Sequence, residues 1–376
     1  MIERFYASQI NNYIKPNKVL VLYGPRRVGK TTLINEFLSR YKGKLYTSTG
    51  ENVQLRDILE SDDFQKIIPF FKSYDLVVID EAQKVANIGQ GLKILVDQIP
   101  GIIVIATGSS SFELSNKVGE PLVGRQNIFT LYPIAILELI KQYGPLYVQE
   151  RLEQFLVYGT YPEVITSDSF EEKKRYLTQI RDSYLSKDIL ELERIKNSKK
   201  LLDLLRLLAF QIGKEVSLQE LGSSLDMSKN TIARYLDLLE KAFVIINVRG
   251  FSRNLRKEVT KTSRYYFYDN GIRNALIENY NFLHSRDDIG PLWENFLFIE
   301  RLKKRTYHSI YGHPYFWRTW DQQEIDLVEE REGKLFGYEF KWKEQRVSKS
   351  PRDWLKSYPE ASYVVITREN YLDFIT

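Results

Sequence analysis

At 376 residues the chain exceeds what one core usually supports, so two or three domains are expected, each burying its own core. Hydrophobic residues make up 43% and charged residues 27%, and no apolar run approaches the roughly 20 residues of a membrane span, so a soluble globular protein is expected. Zero cysteines exclude disulfides, thiolate zinc sites, iron–sulfur clusters and a cysteine nucleophile, and the three histidines, His284, His308 and His313, leave little from which to build an imidazole metal site. The net charge of +5 weakly favours a polyanionic partner. Charges and aromatics in the first six residues stand where a secretory leader needs an apolar core, so a cytoplasmic address is expected.

In chain order, Lys18 to Tyr23, Asp75 to Ile79 and Ile102 to Ala106 are short, branched apolar runs that suit strands buried on both faces. Gly43 to Thr49 and Asn127 to Leu131 are weaker strand candidates, and Thr32 to Tyr41 and Leu92 to Ile99 have helical spacing. This alternation predicts a parallel sheet covered by helices over residues 1–133. From about Ile134 the pattern becomes long and helical, with Lys173 to Glu193 reading as one charged amphipathic helix, so a helical lid is expected over 134–200. Ser217 to Leu225 and Ser228 to Lys241 read as helices joined at Asp226-Met227, followed by a strand, Phe243 to Val248, and a basic loop. That order predicts a winged helix-turn-helix over 201–275. Residues 276–376 read as α/β again, with a helix Trp293 to Arg305 and strands at Tyr315 to Trp320, Glu324 to Glu330, Leu335 to Lys341 and Tyr363 to Thr367.

Gly24-Pro25-Arg26-Arg27-Val28-Gly29-Lys30-Thr31, with Thr32 after it, fits G-x-x-x-x-G-K-[ST] between a predicted strand and a predicted helix. In that setting the backbone N–H groups face nucleotide phosphates, Lys30 reaches the β and γ oxygens, and the Thr31 hydroxyl ligates Mg2+. Asp80-Glu81 ends an apolar strand at the same edge of the sheet, where Asp80 can hold Mg2+ through water and Glu81 can orient or deprotonate the attacking water. ATP and Mg2+ are therefore the expected cofactors. Thr107-Gly108-Ser109-Ser110-Ser111 brings further hydroxyls to that edge.

With these residues in place the chain resembles prokaryotic ATPases in which an AAA-type domain precedes a winged helix and a C-terminal restriction-endonuclease-like domain. The resemblance is carried by GPRRVGKTTL, VVIDEAQ, ATGSSS, LYPIAILEL, YGTYPEVI, TIARYLDLLEKAFVI, RYYFYDNGIRNAL and WENFLFIERLKK, in that order. It implies an AAA-like P-loop sheet with a helical lid, then the winged helix, then a nuclease-like α/β domain. One departure is Thr160, where the family usually has a second glycine, which implies an altered turn. The resemblance gives Ser109 a γ-phosphate-sensing position, with a polar turn capping the next helix as the other reading. It gives Arg125 a position from which an arginine acts on a neighbour's nucleotide in a homo-oligomer, with a local salt bridge as the alternative.

Lys229, Asn230, Thr231 and Arg234 fall near the start of the predicted recognition helix. The following segment, with Arg249, Arg253, Arg256, Lys257, Lys261 and Arg264, is a basic wing. DNA is the expected partner, and a protein-docking surface the alternative reading. In the last domain Asp326 lies on one predicted strand and Glu339-Phe340-Lys341 on the next, the D…E-x-K spacing of the restriction-endonuclease-like fold. Alternation puts Glu339 and Lys341 on one strand face, so Asp326 and Glu339, with Lys341 and Glu294 nearby, are candidate ligands and neighbours of a second Mg2+. The chain is thus expected to couple ATP hydrolysis to a DNA-contacting winged helix and a nuclease-like domain that either cleaves or only binds. The rival reading is an ATP-gated switch or scaffold for protein partners.

Overall fold

A computed structural model of the chain describes residues 2–108, 121–182, 198–252, 263–319, 321–343 and 350–376. Ser109, Arg253, Arg256, Lys257, Lys261 and the end of the expected helix beyond 182 lie outside these residues. The chain divides into two units, residues 1–133 with Lys241–Phe243, and Ile134–Glu240 with Val244–Thr376.

In the first unit five strands, β1 (Lys18–Tyr23), β2 (Leu45–Thr49), β3 (Leu76–Asp80), β4 (Ile103–Gly108) and β5 (Gln126–Thr130), form a parallel sheet in the order β2-β3-β4-β1-β5. The helices are α1 (Ile10–Tyr13), α2 (Lys30–Leu38), α3 (Val53–Leu59), α4 (Phe64–Phe71) and α5 (Ile88–Gln98). Val19, Val21, Val77, Ile79, Val104 and Ala106 are buried in the central strands, and α3, α4 and α5 contribute Leu55, Leu59, Ile67, Phe71, Leu92 and Leu95 to the same core. Branched residues with no polar alternation suit strands that are covered on both faces. All five strands run the same way, so the segments that follow β1, β3 and β4 emerge at one edge.

The second unit opens with α6 (Ile136–Tyr143), α7 (Pro145–Tyr158), α8 (Pro162–Thr166) and α9 (Phe170–Ile180), then continues through α10 (Ser198–Phe210), β6 (Glu215–Val216), α11 (Leu218–Leu225) and α12 (Lys229–Lys241). Next come β7 (Ile245–Gly250), β8 (Ser263–Phe267), α13 (Asn270–Leu276), α14 (Ile289–Tyr307), β9 (His313–Arg318), β10 (Glu324–Arg331), β11 (Lys334–Phe340), α15 (Arg352–Ser357), β12 (Ser362–Ile366) and α16 (Tyr371–Ile375). Ser217 caps α11 by accepting from the Glu220 N–H, and the Asp226 turn is left-handed. At Gly222 a Cβ would lie 2.7 Å from the Met227 carbonyl, so the helix pair closes this tightly only with glycine there.

The seven strands β12-β11-β10-β9-β7-β8-β6 form one mixed sheet. The expected boundary between 275 and 276 falls within this unit, because Arg249 and Gly250 of β7 pair in parallel with Tyr315 and Phe316 of β9. Three motifs also interlock here. Asn295 on α14 pairs with both the N–H and the C=O of Phe267 and donates to Asn270; Asn274 donates to the Leu156 and Val157 carbonyls. At Gly159, φ is +74° and a Cβ would stand 1.9 Å from an Asp269 oxygen. The departure at Thr160 has a specific use: its N–H donates to Asp269 and its hydroxyl accepts from Lys303, whose ammonium also bonds Glu300 and the Ile134 carbonyl. Burial pushes the Asp269 carboxyl up to about 6, against the opposing pull of the Thr160 N–H and Lys303. Among the described residues no helix is long and apolar enough to cross a membrane.

Candidate functional site

The loop between β1 and α2 is set by sterics. Gly24 has φ +146°, and a Cβ there would come within 2.0 Å of the Leu131 carbonyl; Gly29, at φ +94°, opens α2. Pro25 and Val28 are buried, while Arg26 is half-buried and Arg27 exposed. Lys30 is buried, with Nζ donating to the Gly24 and Pro25 carbonyls at 2.9 and 2.8 Å. Burial lowers its ammonium to about 8; Glu81 and Asp80 pull the other way, and Arg26 adds to the fall. Thr31 and Thr32 stand exposed in the first turn of α2.

The carboxyl edges of β3 and β4 supply the acids and a hydroxyl. Thr31 Oγ1 donates to Asp80 Oδ2 at 2.9 Å, and the Thr107 hydroxyl donates to Asp80 Oδ1. The Glu81 N–H reaches Thr107 Oγ1 at 3.1 Å and Asp80 Oδ1 at 3.2 Å; Glu81 itself is left-handed, and its carboxylate accepts from Gln83 Nε2. Thr31, Asp80, Thr107 and Glu81 thus meet in one hydrogen-bonded set. A hydroxyl and a carboxylate converging beside a phosphate loop fit Mg2+, a hard cation that takes oxygen ligands. Thr31 and Asp80 would hold it, and when bound it would neutralise charge on the phosphate oxygens.

Of two further residues at this site, Thr107 was placed at this edge by the sequence without a role, and Arg4 was missed. Thr107 stood in view beside Ser109, but only the β3–β4 pairing shows that it is the threonine that meets Asp80. Arg4 carried no local signal: its buried guanidinium donates to the Val28 carbonyl of the loop and, at 2.7 Å, to the Tyr132 carbonyl. Arg125 pairs with Asp97 at 2.6 Å, half-exposed. It precedes β5 and its carbonyl accepts from the Val19 N–H near the start of β1, at the edge opposite the phosphate loop. Some five strand residues, about 17 Å, separate it from its own chain's loop.

In the second unit Lys229, Asn230 and Arg234 are exposed on α12, and Thr231 shares a 2.8 Å hydroxyl contact with Ser228. The acids expected in the last domain do come together. Glu294 from α14 accepts from the Tyr266 hydroxyl at 2.6 Å; Asp326 sits at a register shift in β10 and accepts from the Phe340 N–H at 2.8 Å; Glu339 pairs with Lys341 at 2.5 Å. Burial pushes all three carboxyls up, Glu294 to about 7, and the charges of neighbouring acids add to the shift. The expected second Mg2+ site at Asp326 and Glu339 has a cationic side chain beside it. Arg264 of β8, buried, lies 3.6 Å from Glu294, 2.9 Å from Glu324 and 3.8 Å from Asp326, so a guanidinium already stands among the acids. Among the described residues no group of three or more acids or histidines is disposed to hold a metal ion.

Comparison with known proteins agrees with the first unit and leaves the second open. Residues 16–140 match the model of an AAA domain, and that segment is an AAA-type P-loop domain. Residues 149–282 and 289–375 match two domains of unknown function, DUF8612 and DUF4143. An uncharacterised protein of Mycobacterium tuberculosis is 27% identical over 343 residues, covering 89% of this chain and 73% of its own. One from Methanocaldococcus jannaschii is 26% identical, with 80% and 71% covered, and one from Haemophilus influenzae 25% identical, with 86% and 82% covered. The Thermotoga maritima RuvB Holliday junction branch migration motor aligns at TM-score 0.30 and 18% identity over 61% of this chain and 82% of its own. A DNA replication initiation factor aligns at 0.26 and 16%, over 62% and 85%. At such TM-scores these two alignments carry no structural argument.

Proposed function

We propose that the chain is a Mg2+-dependent ATPase whose nucleotide cycle acts through a DNA-contacting winged helix. The observation that carries the ATPase reading is the set Thr31–Asp80–Thr107–Glu81, joined by hydrogen bonds beside Lys30 at the edge where the phosphate loop emerges. In this reading Lys30 binds the phosphates, Thr31 and Asp80 hold Mg2+, Glu81 acts on water, and Thr107 orients Asp80 and Glu81. Arg125, paired with Asp97 some five strand residues from its own chain's phosphate loop, acts across an oligomer in this reading.

Support for the winged helix is the order α10-β6-α11-α12-β7-β8 with its glycine-closed turn and exposed basic and amide side chains on α12. The placement of Glu294, Asp326 and Glu339 on a helix and two strands supports a nuclease-like scaffold for the last part of the chain, without cleavage as part of the function.

The test is phosphate release from ATP with Mg2+, with and without duplex DNA. Turnover that needs Mg2+ and rises with DNA is expected. Turnover that ignores DNA would transfer α12 to a protein-docking role, and no turnover under either condition would end the ATPase reading. A salt titration of DNA binding by the triple change Lys229→Ala, Asn230→Ala and Arg234→Ala reports on α12 directly: the slope should flatten by about one unit per lost phosphate contact.

A further inference from the structure

We infer that Arg264 is the resident cation of the Glu294–Asp326–Glu339 set, a guanidinium standing in the position where a nuclease-like site would take its divalent metal. The inference rests on the geometry of the second unit and is independent of the ATPase reading. The Arg264 side chain is 3% exposed. One terminal nitrogen lies between Glu294 Oε1 at 3.6 Å and Asp326 Oδ1 at 3.8 Å; the other is 2.9 Å from Glu324 Oε2. The guanidinium carbon lies over the Phe316 ring, 4.6 Å from its centroid, a cation–π contact that helps hold the side chain in place.

Three oxygens of the set also have other partners. Asp326 Oδ2 takes the Phe340 N–H, Glu294 Oε1 also takes the Tyr266 hydroxyl, and Glu339 Oε1 takes Lys341. Glu339 Oε2 is buried without a hydrogen bond, but the guanidinium stands between Glu294 and Asp326, in the space a cation shared by the acids would need. A buried arginine held by several acids is costly to displace, because leaving would strand both it and them. Removing the side chain, by contrast, would leave Glu294 and Asp326 facing a common space with Glu339 beside it. The prediction is therefore a gain: the site acquires divalent-metal binding when Arg264 is shortened.

The experiment is Mn2+ titration of the full-length, nucleotide-free protein followed by electron paramagnetic resonance of free Mn2+, with Asp80→Asn present throughout to silence the nucleotide site. Protein with Arg264 intact should leave Mn2+ free to millimolar concentrations. Arg264→Ala should bind about one Mn2+ per chain, the number the three acids can coordinate, and adding Asp326→Asn should abolish it. Mn2+ bound with Arg264 intact and lost on Asp326→Asn overturns the inference, as does a folded Arg264→Ala protein that gains nothing. Should Arg264→Ala fail to fold by circular dichroism, Arg264→Gln takes its place under the same criteria; should both fail, the Arg264-intact titration decides alone.

Discussion

Asp80 and Asp326 both lie on strands, near a lysine and a second acid, yet the protein surrounds them with opposite chemistry. Asp80 is half-buried and meets neutral donors, the hydroxyls of Thr31 and Thr107, while the nearby Lys30 ammonium is turned to the loop's own carbonyls. Asp326 is buried and meets a backbone N–H and a guanidinium, with Glu339 beside it already paired to Lys341. Neutral donors leave a carboxylate's charge available to an incoming cation. A resident cation uses it up. Clustered acids therefore say little about metal binding until the counter-charge has been located.

The largest expected effect tests the open site. Glu81→Gln should slow ATP hydrolysis by about 10²–10⁴-fold with nucleotide binding retained, the loss typical of a general base. Lys30→Ala should lose binding as well. Asp326→Asn should leave turnover within about twofold, since separate sites act additively. Single-turnover hydrolysis and nucleotide fluorescence titration measure these; a slow Asp326→Asn protein would break the comparison.

Much of this contrast could be read in the residues. The phosphate loop, the Asp80-Glu81 strand end and the five strands are local patterns of branched apolar runs and glycines, and these appear in the fold within a few residues. The D…E-x-K spacing likewise brought Asp326, Glu339 and Glu294 together. What spacing does not reveal is a partner supplied from far along the chain: Arg264 sits some 60 residues before Asp326 in sequence, on a strand whose pairing is needed to aim it. Arg4, the contact of Thr107 with Asp80 and the interlock of Thr160 with Lys303 were hidden for the same reason.

Next in size is the closed chemistry of the second unit. Lys303 and Glu300 are 1% and 2% exposed, and Lys303→Met leaves Glu300 without its ammonium; a loss of about 3–5 kcal/mol is expected for breaking one side of a buried pair. Urea unfolding checks this, and nucleotide binding by the first unit should persist into the urea range where the variant's second unit has unfolded. A smaller effect is expected in the open site, where Thr107→Val strips a hydroxyl from Asp80 and an acceptor from the Glu81 N–H. About 1–3 kcal/mol of site organisation is at stake, read as a tenfold or greater fall in turnover that Thr107→Ser restores.

The smallest is a pH effect on Lys30. With its folded-state value lowered to about 8, the loop lysine is charged below that pH and loses its proton above it. Phosphate contact requires the charged form, so nucleotide affinity should be flat below pH 8 and fall about tenfold per unit above it, with proton uptake on binding at pH 9. Calorimetry in two buffers of different ionisation enthalpy measures the uptake. A flat profile to pH 9.5 would show that Lys30 keeps its charge and that burial does not lower its ammonium as far as pH 8.

The seam between β7 and β9 has a mechanical consequence. Across it, among the described residues, Arg249 stands opposite Tyr315 and Gly250 opposite Phe316, followed by the Phe251 N–H donating to the Phe316 carbonyl at 2.6 Å. Phe251 then sets its ring against Tyr315, Trp354 and Tyr358. Shear between β7 and β9 must open this short run of pairs and slide the Phe251 ring past its neighbours. There the aromatic cluster adds to the ladder, and the amide of Phe251 becomes the natural strain gauge of the unit: its exchange rate reports how firmly the two strands are held as one.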